Sequence, residues 1–197
     1  MTLRYTARMP DGPLAYHITI GTYGTRLHGD PRGTVDRSIN KPGDPIIGKN
    51  EDWQRIERSQ LRFPPVTLTM QQRRFAEDAI RGVCKRGGWQ LYVCTAQADH
   101  VHVLLTTDRD GKAVRSWLKT WLGQALTKRF ASEPPTVSAD RPHSGRRGSD
   151  SPRRPWWAKG GSVKWVWDER YFENVFDYIT RHRTGTAQSR PAADATP

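Results

Sequence analysis

Two runs of alternating apolar residues, over 89–97 and 101–107, stand three residues apart near the middle of the chain. Alternation at period two is typical of β-strands, and so short a connection joins antiparallel neighbours. The fold is therefore expected to be built on an antiparallel sheet. In the first run, one face is predicted to comprise Trp89, Leu91, Val93 and Thr95.

Further strands and helices are predicted on both sides of this pair. Period-two alternation recurs over 14–22 and, in a short run, over 163–167. Thr69 is a suitable N-cap for the first long helix, which Gly87 and Gly88 would end. Apolar residues recur every three or four positions, as in amphipathic helices, over 51–58, 70–86, 112–131 and 172–183.

The order β, α, β, β, α, β, α predicts an α+β fold, a ferredoxin-like antiparallel sheet with helices packed on one face and a further C-terminal helix. Gly, Pro, Ser and charged residues dominate 132–162, so apolar burial would not offset the entropy of ordering that segment. We therefore predict a single domain over 1–183 with a flexible insertion at about 132–162. A long loop is expected over 23–50, and a disordered tail over 184–197.

The charge balance restricts the class of partner. The 197 residues include 32 Lys and Arg against 20 Asp and Glu, a net charge of +12, and such a field attracts polyanions such as DNA or RNA. Cys84 and Cys94 are too few for a disulfide framework or a cysteine zinc site and are predicted to be reduced core thiols. Because no apolar run reaches membrane length and no secretory signal is recognisable, we expect a cytoplasmic protein with no membrane partner.

His100 and His102 open the second strand of the central pair. Side chains alternate across a strand, so both imidazoles project from one face and two nitrogens can converge on one metal ion. The pattern is short, and two half-exposed histidines on a sheet without a ligand remain an alternative.

Tyr178 and His182 lie one turn apart in the C-terminal helix, beside its apolar stripe. A phenol is a weak nucleophile by itself, but a phosphodiester bound by a divalent metal is a better electrophile for it. In the alternative, Tyr178 covers the edge of the core and His182 is a solvated histidine at a helix C-terminus. His17 and His28 are assigned structural roles.

Several segments of the chain resemble one family. Asp-His-Val-His-Val-Leu-Leu at 99–105 is similar to the HUH signature (His, hydrophobe, His) of the IS200-like tyrosine transposases. Val-Phe-Asp-Tyr-Ile at 175–179 resembles their nucleophile-bearing helix, and 167–172 resembles the preceding segment in the REP-associated branch. The segment 22–30 resembles the start of many such proteins.

The resemblance implies a metal-dependent single-stranded DNA endonuclease and strand transferase that cleaves DNA near hairpins and is associated with the nucleoid. His100, His102 and His182 would bind Mg²⁺ or Mn²⁺, and Tyr178 would form a 5′-phosphotyrosine link and release a 3′-OH. The family often has Gln or Asn where this chain has His182, and a third imidazole shifts the preference from Mg²⁺ towards softer ions such as Mn²⁺ or Zn²⁺. Tyr171 is a second candidate nucleophile, expected just before the helix. The family includes monomers and dimers, so a homodimer is one possible state.

Basic and aromatic residues suggest a path for DNA. Lysines and arginines in the long loop, the third predicted helix and the insertion are candidates for phosphate contacts, and a tryptophan in the insertion is a candidate for base stacking. The alternatives are solvated surface charges and an aromatic patch that covers the core. The predicted nucleic-acid-binding residues are Arg26, Arg32, Lys112, Arg115, Lys119, Arg153, Arg154 and Trp156.

Three other functions are compatible with parts of this pattern. A domesticated relative would bind hairpin or single-stranded DNA without cleaving it, which the departure at His182 motivates. An RNA-binding ferredoxin-like module would expose aromatics in a strand signature that the chain lacks. A metal-dependent hydrolase would use metal-bound water in place of Tyr178.

Overall fold

The computed structural model describes residues 12–34, 47–130 and 154–183. Within these ranges the chain forms a four-stranded antiparallel sheet, in the order β2-β3-β1-β4, and four α-helices. The α+β class and the antiparallel sheet predicted from the sequence are confirmed. The elements are β1 Ala15–Gly21, α1 Glu51–Gln60, α2 Met70–Gly87, β2 Gln90–Ala96, β3 His100–Thr106, α3 Gly111–Arg129, β4 Ser162–Val166 and α4 Glu169–Arg183.

The long helices lie on opposite faces of the sheet. Helices α2 and α3 pack together on one face, as predicted, and enclose the larger apolar core. Helix α4 covers the other face and encloses a smaller core. The central strands carry buried apolar residues on both faces because both faces are covered. Buried residues of the smaller core are Ala15, Val93, Leu104, Val166, Phe172, Val175 and Ile179.

The helix starts follow local capping chemistry. Thr69 and Gln72 form a capping box at α2, in which each side chain bonds the other residue's backbone N–H. Helix α4 begins at Glu169, three residues before the predicted start, because Asp168 accepts a hydrogen bond from the Tyr171 backbone N–H at 2.8 Å. Tyr171 therefore lies inside the first turn of α4, and its expected position before the helix was wrong.

A β-bulge corrects the predicted face of β2. Leu91 pairs with Leu105 and packs against the α2–α3 core, but the register shifts between Leu91 and Val93. One extra residue in a strand exchanges its two faces, so Val93 and Thr95 lie on the α4 side. The prediction that Trp89 and Leu91 share a face with these two residues was wrong.

The structure describes the end of the segment predicted as a flexible insertion. Residues 154–162 run along the body of the protein, where Trp157 is buried and bridges to Thr22, and the Ala158 N–H donates to the Gly21 carbonyl at 2.9 Å. The rest of the predicted insertion and the predicted tail lie outside the described residues. Within the described ranges, none of the helices has the length and apolar character needed to cross a membrane.

The start of α3 is packed too closely for a side chain at Gly111. A Cβ atom there would lie 2.6 Å from Tyr16 Cδ1 and 2.8 Å from Val163 Cγ1. Gly111→Ala is therefore expected to lower the free energy of unfolding by about 1–3 kcal/mol, although alanine is the better helix former. Gly82, inside α2, has only the Arg86 guanidinium nearby, so Gly82→Ala should raise it by about 0.5–1 kcal/mol. Urea unfolding measures the free energy of unfolding of both variants. An increase for Gly111→Ala would contradict the close packing at Gly111.

Candidate functional site

A cluster of five aromatic rings lies between the sheet and α4. In the sheet, Thr19 of β1 is directly opposite His102 of β3, and cross-strand partners point to the same face. The histidines of β3 therefore project towards α4, whose last turns bring Tyr178 and His182 to them. We call this group the histidine–tyrosine cluster; its members are His17, His100, His102, Tyr178 and His182.

The four residues predicted as a site are brought together by the structure. The ring centroids of His100 and His102 are 4.6 Å apart, and those of Tyr178 and His182 are 4.3 Å apart. His102 links the two pairs, at 5.3 Å from Tyr178 and 5.8 Å from His182. Residues about 80 positions apart in sequence thus share one small volume.

His102 is the buried centre of the cluster, with 5% of its surface exposed. Its Nδ1 lies 3.1 Å from His17 Nε2 and 3.0 Å from Thr19 Oγ1, whereas its Nε2 is buried without a hydrogen-bond partner among the described residues. Burial lowers the pKa of His102 to about 2, and the nearby charges of His100, His17, His182 and Arg26 act in the same direction. The imidazole is therefore neutral, which leaves a lone pair for a ligand.

His100 is held from behind by a carboxylate. Its Nδ1 lies 2.6 Å from Asp99 Oδ1. The pKa of Asp99 is well below its usual range, chiefly because of this hydrogen bond, and Arg32 contributes in the same direction. The carboxylate stays ionised and accepts a hydrogen bond from the Nδ1–H, so Nε2 is the nitrogen of His100 left for a ligand.

The C-terminal turn of α4 is tied to the turn between β2 and β3. Gln97 Nε2 donates to the His182 carbonyl at 2.8 Å and to Thr95 Oγ1 at 3.2 Å. Burial lowers the pKa of His182, and the positive fields of His100 and Arg181 lower it further. Gln97 thereby fixes the height of α4 on the sheet, and no motif in the sequence identified it.

His17 was assigned a structural role from the sequence, but the structure places it in the cluster. It is 8% exposed, and its ring centroid lies 5.2 Å from that of His102 and 6.4 Å from that of Tyr178. The alternation in β1 puts His17 opposite the face of Tyr16, Ile18 and Ile20, but only the strand order shows what covers that face. His28 lies apart, bonded to Glu57 and stacked on Trp53, as its structural role predicted.

The donor set fits a divalent ion of borderline character. Among the described residues, no three His, Cys, Asp or Glu side chains form a ready-made ion site as they stand. However, both β3 histidines have Nδ1 engaged by neighbouring side chains, and the Nε2 of His102 is buried and has no hydrogen-bond partner in the part of the chain that the structure describes. Proteins orient metal-binding imidazoles in this way, and nitrogen donors suit Mn²⁺ better than Mg²⁺.

The residues predicted to contact DNA that the structure describes fall into two groups, those that are exposed and those that already bond other parts of the protein. Arg26 and Lys112 are exposed, and Arg26 is close enough to His102 to influence its pKa. Arg153 lies outside the described residues. The other five are engaged within the protein, so their DNA contacts stay predictions.

Four of these five hold segment 154–161 to the body. Arg115 donates to the Gly161 carbonyl at 2.9 Å, and Lys119 donates to three carbonyls of residues 158–160 at 2.5, 2.7 and 3.1 Å. Arg154 donates to the carbonyls of Pro64 and Pro65 at 2.8 and 3.0 Å. Trp156 donates to Thr127 Oγ1 at 2.9 Å and packs against the larger core. Arg32, the fifth, pairs with Asp30 and Asp99.

The buried His17 should make folding stability pH-dependent. Burial, with the charge of Lys164 on β4, lowers its pKa to about 4, whereas the unfolded chain has the ordinary value of 6.5. Below pH 6.5 the unfolded state binds the proton first, so stability is present above that pH and is lost as the pH falls towards 4. His102 and Tyr178 are the other ring neighbours of His17.

As the pH falls from 7.5 to 5, protonation of His17 is expected to lower the free energy of unfolding of the wild type by about 2 kcal/mol. His17→Gln keeps a polar side chain but does not titrate, so its loss over the same range should be smaller by that amount. Urea unfolding at the two pH values measures the difference. Identical pH dependence in wild type and variant would show that His17 is not the group responsible.

Neither the family models nor the curated proteins include a match to this chain. Among solved structures, it is similar to a candidate transposase from Deinococcus radiodurans R1, with 15% identity, a TM-score of 0.43, and coverage of 91% of this chain and 98% of the other. It is also similar to a REP-associated tyrosine transposase bound to a REP hairpin, with 10% identity, a TM-score of 0.43, and coverage of 94% and 76%. The function proposed below is based on the site residues themselves.

Proposed function

We propose that the protein is a metal-dependent single-stranded DNA endonuclease and strand transferase that cleaves DNA near hairpins. Tyr178 is the nucleophile, and His100, His102 and His182 are the ligands of Mn²⁺ or Mg²⁺. The observation that carries the proposal is the contact of the Tyr178 ring with His102 and His182, at 5.3 and 4.3 Å between centroids. A nucleophile and three potential ligands stand side by side in a chain with a net charge of +12.

In the cleavage step, Tyr178 Oη forms a bond to the phosphorus of the scissile phosphodiester and the bond from phosphorus to O3′ breaks. The phenolic proton is lost and the leaving O3′ is protonated, which yields a 5′-phosphotyrosine and a free 3′-OH. Attack by a 3′-OH on the phosphotyrosine reverses the step and joins strands. A divalent ion held by His100, His102 and His182 would withdraw charge from the phosphate, which would make the phosphorus a better electrophile.

The chain's own residues orient the reacting groups. The apolar residues of α4 and the Gln97 contact to the His182 carbonyl hold Tyr178 at a set height above the sheet. Thr19 and His17 orient His102 through its Nδ1, and Asp99 orients His100. Arg26, which is exposed beside the cluster, suits a DNA phosphate close to the scissile one.

The test is incubation of the purified protein with labelled single-stranded and hairpin DNA in Mn²⁺ or Mg²⁺, followed by denaturing gels. A DNA band that migrates with the protein after denaturation is the expected result, and it should require the metal. If DNA is bound and never becomes linked under either ion, the protein is a DNA-binding relative without cleavage activity. Size-exclusion chromatography with light scattering on the same sample tests the homodimer.

A further inference from the structure

A chain of charged groups lies directly behind His100. Asp99 bonds the His100 ring through Oδ1, and its other carboxylate oxygen receives Nη1 of Arg32 in an ion pair. The same guanidinium forms a bidentate pair with Asp30, in which Nε donates to Oδ1 and Nη2 donates to Oδ2, each at 2.8 Å. Arg32 thus joins two carboxylates, one of which contacts the His100 imidazole.

Asp30 and Asp99, the carboxylates at the two ends of this row of charged groups, are both held in place by the fold. Asp30 is 4% exposed, and its backbone N–H donates to the Leu27 carbonyl at 3.1 Å. The backbone carbonyl of Asp99 accepts two hydrogen bonds from Thr22, one from its N–H at 2.8 Å and one from its hydroxyl at 3.0 Å. Movement of the Asp99 carboxylate would therefore break contacts on both sides, which gives His100 a rigid support.

The same geometry makes Arg32 a poor phosphate contact, although the sequence suggested that role. Its Nε, Nη1 and Nη2 donate to carboxylates, and Nη2 also donates to the Thr25 carbonyl at 3.3 Å. Asp30, Arg32 and Asp99 together carry one net negative charge, which repels a phosphate. Four of the five N–H donors of Arg32, together with its charge, are already engaged inside the protein.

We propose that Arg32 is a positioning residue for metal binding: it clamps Asp99, which accepts a hydrogen bond from the His100 Nδ1–H and so leaves Nε2 as the metal-binding nitrogen. This inference rests on the proposed function. A carboxylate behind a ligating imidazole orients the ring and raises its basicity, and loss of such a partner typically weakens metal affinity 10–100-fold. Arg32 acts one step further back, through Asp99, and touches no reacting atom.

Metal affinity without DNA separates positioning from DNA contact. In Mn²⁺ titrations followed by electron paramagnetic resonance, Asp99→Asn should bind about 10–100-fold more weakly than wild type, and Arg32→Gln about 10-fold more weakly. Arg32→Lys keeps the charge but lacks the fork, so it should not restore wild-type affinity. Arg74→Gln is the matched control, because it removes one exposed guanidinium from α2, on the other face of the sheet, and should leave Mn²⁺ affinity unchanged.

DNA affinity without metal is the second measurement. With EDTA present, Arg32→Gln should match wild type in affinity for single-stranded DNA and in its salt dependence. A phosphate contact would instead weaken binding and reduce the slope of log K against log salt by about 0.7. Circular dichroism and thermal unfolding confirm that each variant is folded.

The outcomes separate this inference from the proposed function. If wild type binds no Mn²⁺, the proposed function fails, and ¹⁵N NMR of His100 still tests the clamp: the Nδ1–H tautomer should dominate in wild type and become mixed in Arg32→Gln. If wild type binds Mn²⁺ and Arg32→Gln binds it equally well, the positioning role is overturned. Weaker, less salt-dependent DNA binding by Arg32→Gln, with unchanged metal affinity, would overturn it in favour of a phosphate contact.

Discussion

Tyr178→Phe is expected to abolish the covalent protein–DNA product, with a fall of about 10⁴-fold or more in the rate of linkage. Phenylalanine keeps the ring that contacts His102 and His182 and removes only the hydroxyl, so the fold and the metal affinity should be retained. The rate is measured from denaturing gels of labelled DNA under single-turnover conditions, with Mn²⁺ titration as the check on the metal site.

Tyr171→Phe is the matched control, since Tyr171 lies in the first turn of the same helix and packs against the same small core. No ring contact joins it to the histidines in the described part of the chain. Linkage should therefore continue at close to the wild-type rate. If Tyr171→Phe abolishes the product and Tyr178→Phe does not, the assignment of the nucleophile is reversed.

The same variant separates the nuclease from a metal-dependent hydrolase. Hydrolysis by metal-bound water does not need a phenol, so strand cleavage in Tyr178→Phe without a covalent band would support the hydrolase. Cleavage and linkage lost together, with DNA binding intact, would support the tyrosine mechanism.

His102→Ala is expected to have the second large effect, a loss of Mn²⁺ affinity of about 100-fold or more. The variant removes the buried Nε2 for which the described residues provide no partner, and it leaves His17 and Thr19 without their contact at Nδ1. The free energy of unfolding should fall by about 1–3 kcal/mol because these polar groups lose a partner. His102→Gln retains a polar side chain and should show a smaller loss of stability than His102→Ala.

His28→Ala is the control for a general effect of histidine removal. His28 bonds Glu57 and stacks on Trp53, apart from the histidine–tyrosine cluster. Mn²⁺ affinity measured by paramagnetic resonance should be unchanged in this variant. Equal affinity in wild type and His102→Ala would show that His102 is not a ligand.

Local features of the chain were predictable because they depend on backbone periodicity and capping. The strand and helix positions follow from periods of two and of three to four, and the N-cap at Thr69 follows from side-chain chemistry. The shared face of His100 and His102, and the one-turn spacing of Tyr178 and His182, follow from the same periods. The early start of α4 was missed because Asp168 caps the helix before its apolar stripe begins.

The β-bulge between Leu91 and Val93 shows why periodicity fails beyond local structure. A single extra residue exchanges the faces of a strand, and whether it is accommodated depends on the pairing of β2 with β3. The sequence also did not show that several basic residues bond the protein itself. Lys119 and Arg154 bond backbone carbonyls of distant segments, which only the path of the chain brings close.

The sequence by itself determined the elements of this protein and, outside the bulged strand β2, the side chains that each strand or helix presents on a common face. Only the tertiary structure decided that β1 lies beside β3, which puts His17 and Thr19 on His102, and that Arg32 pairs with Asp99. These contacts join residues 67 to 85 positions apart. Their geometry depends on strand order, register and the packing of α4, which no local pattern of residues specifies.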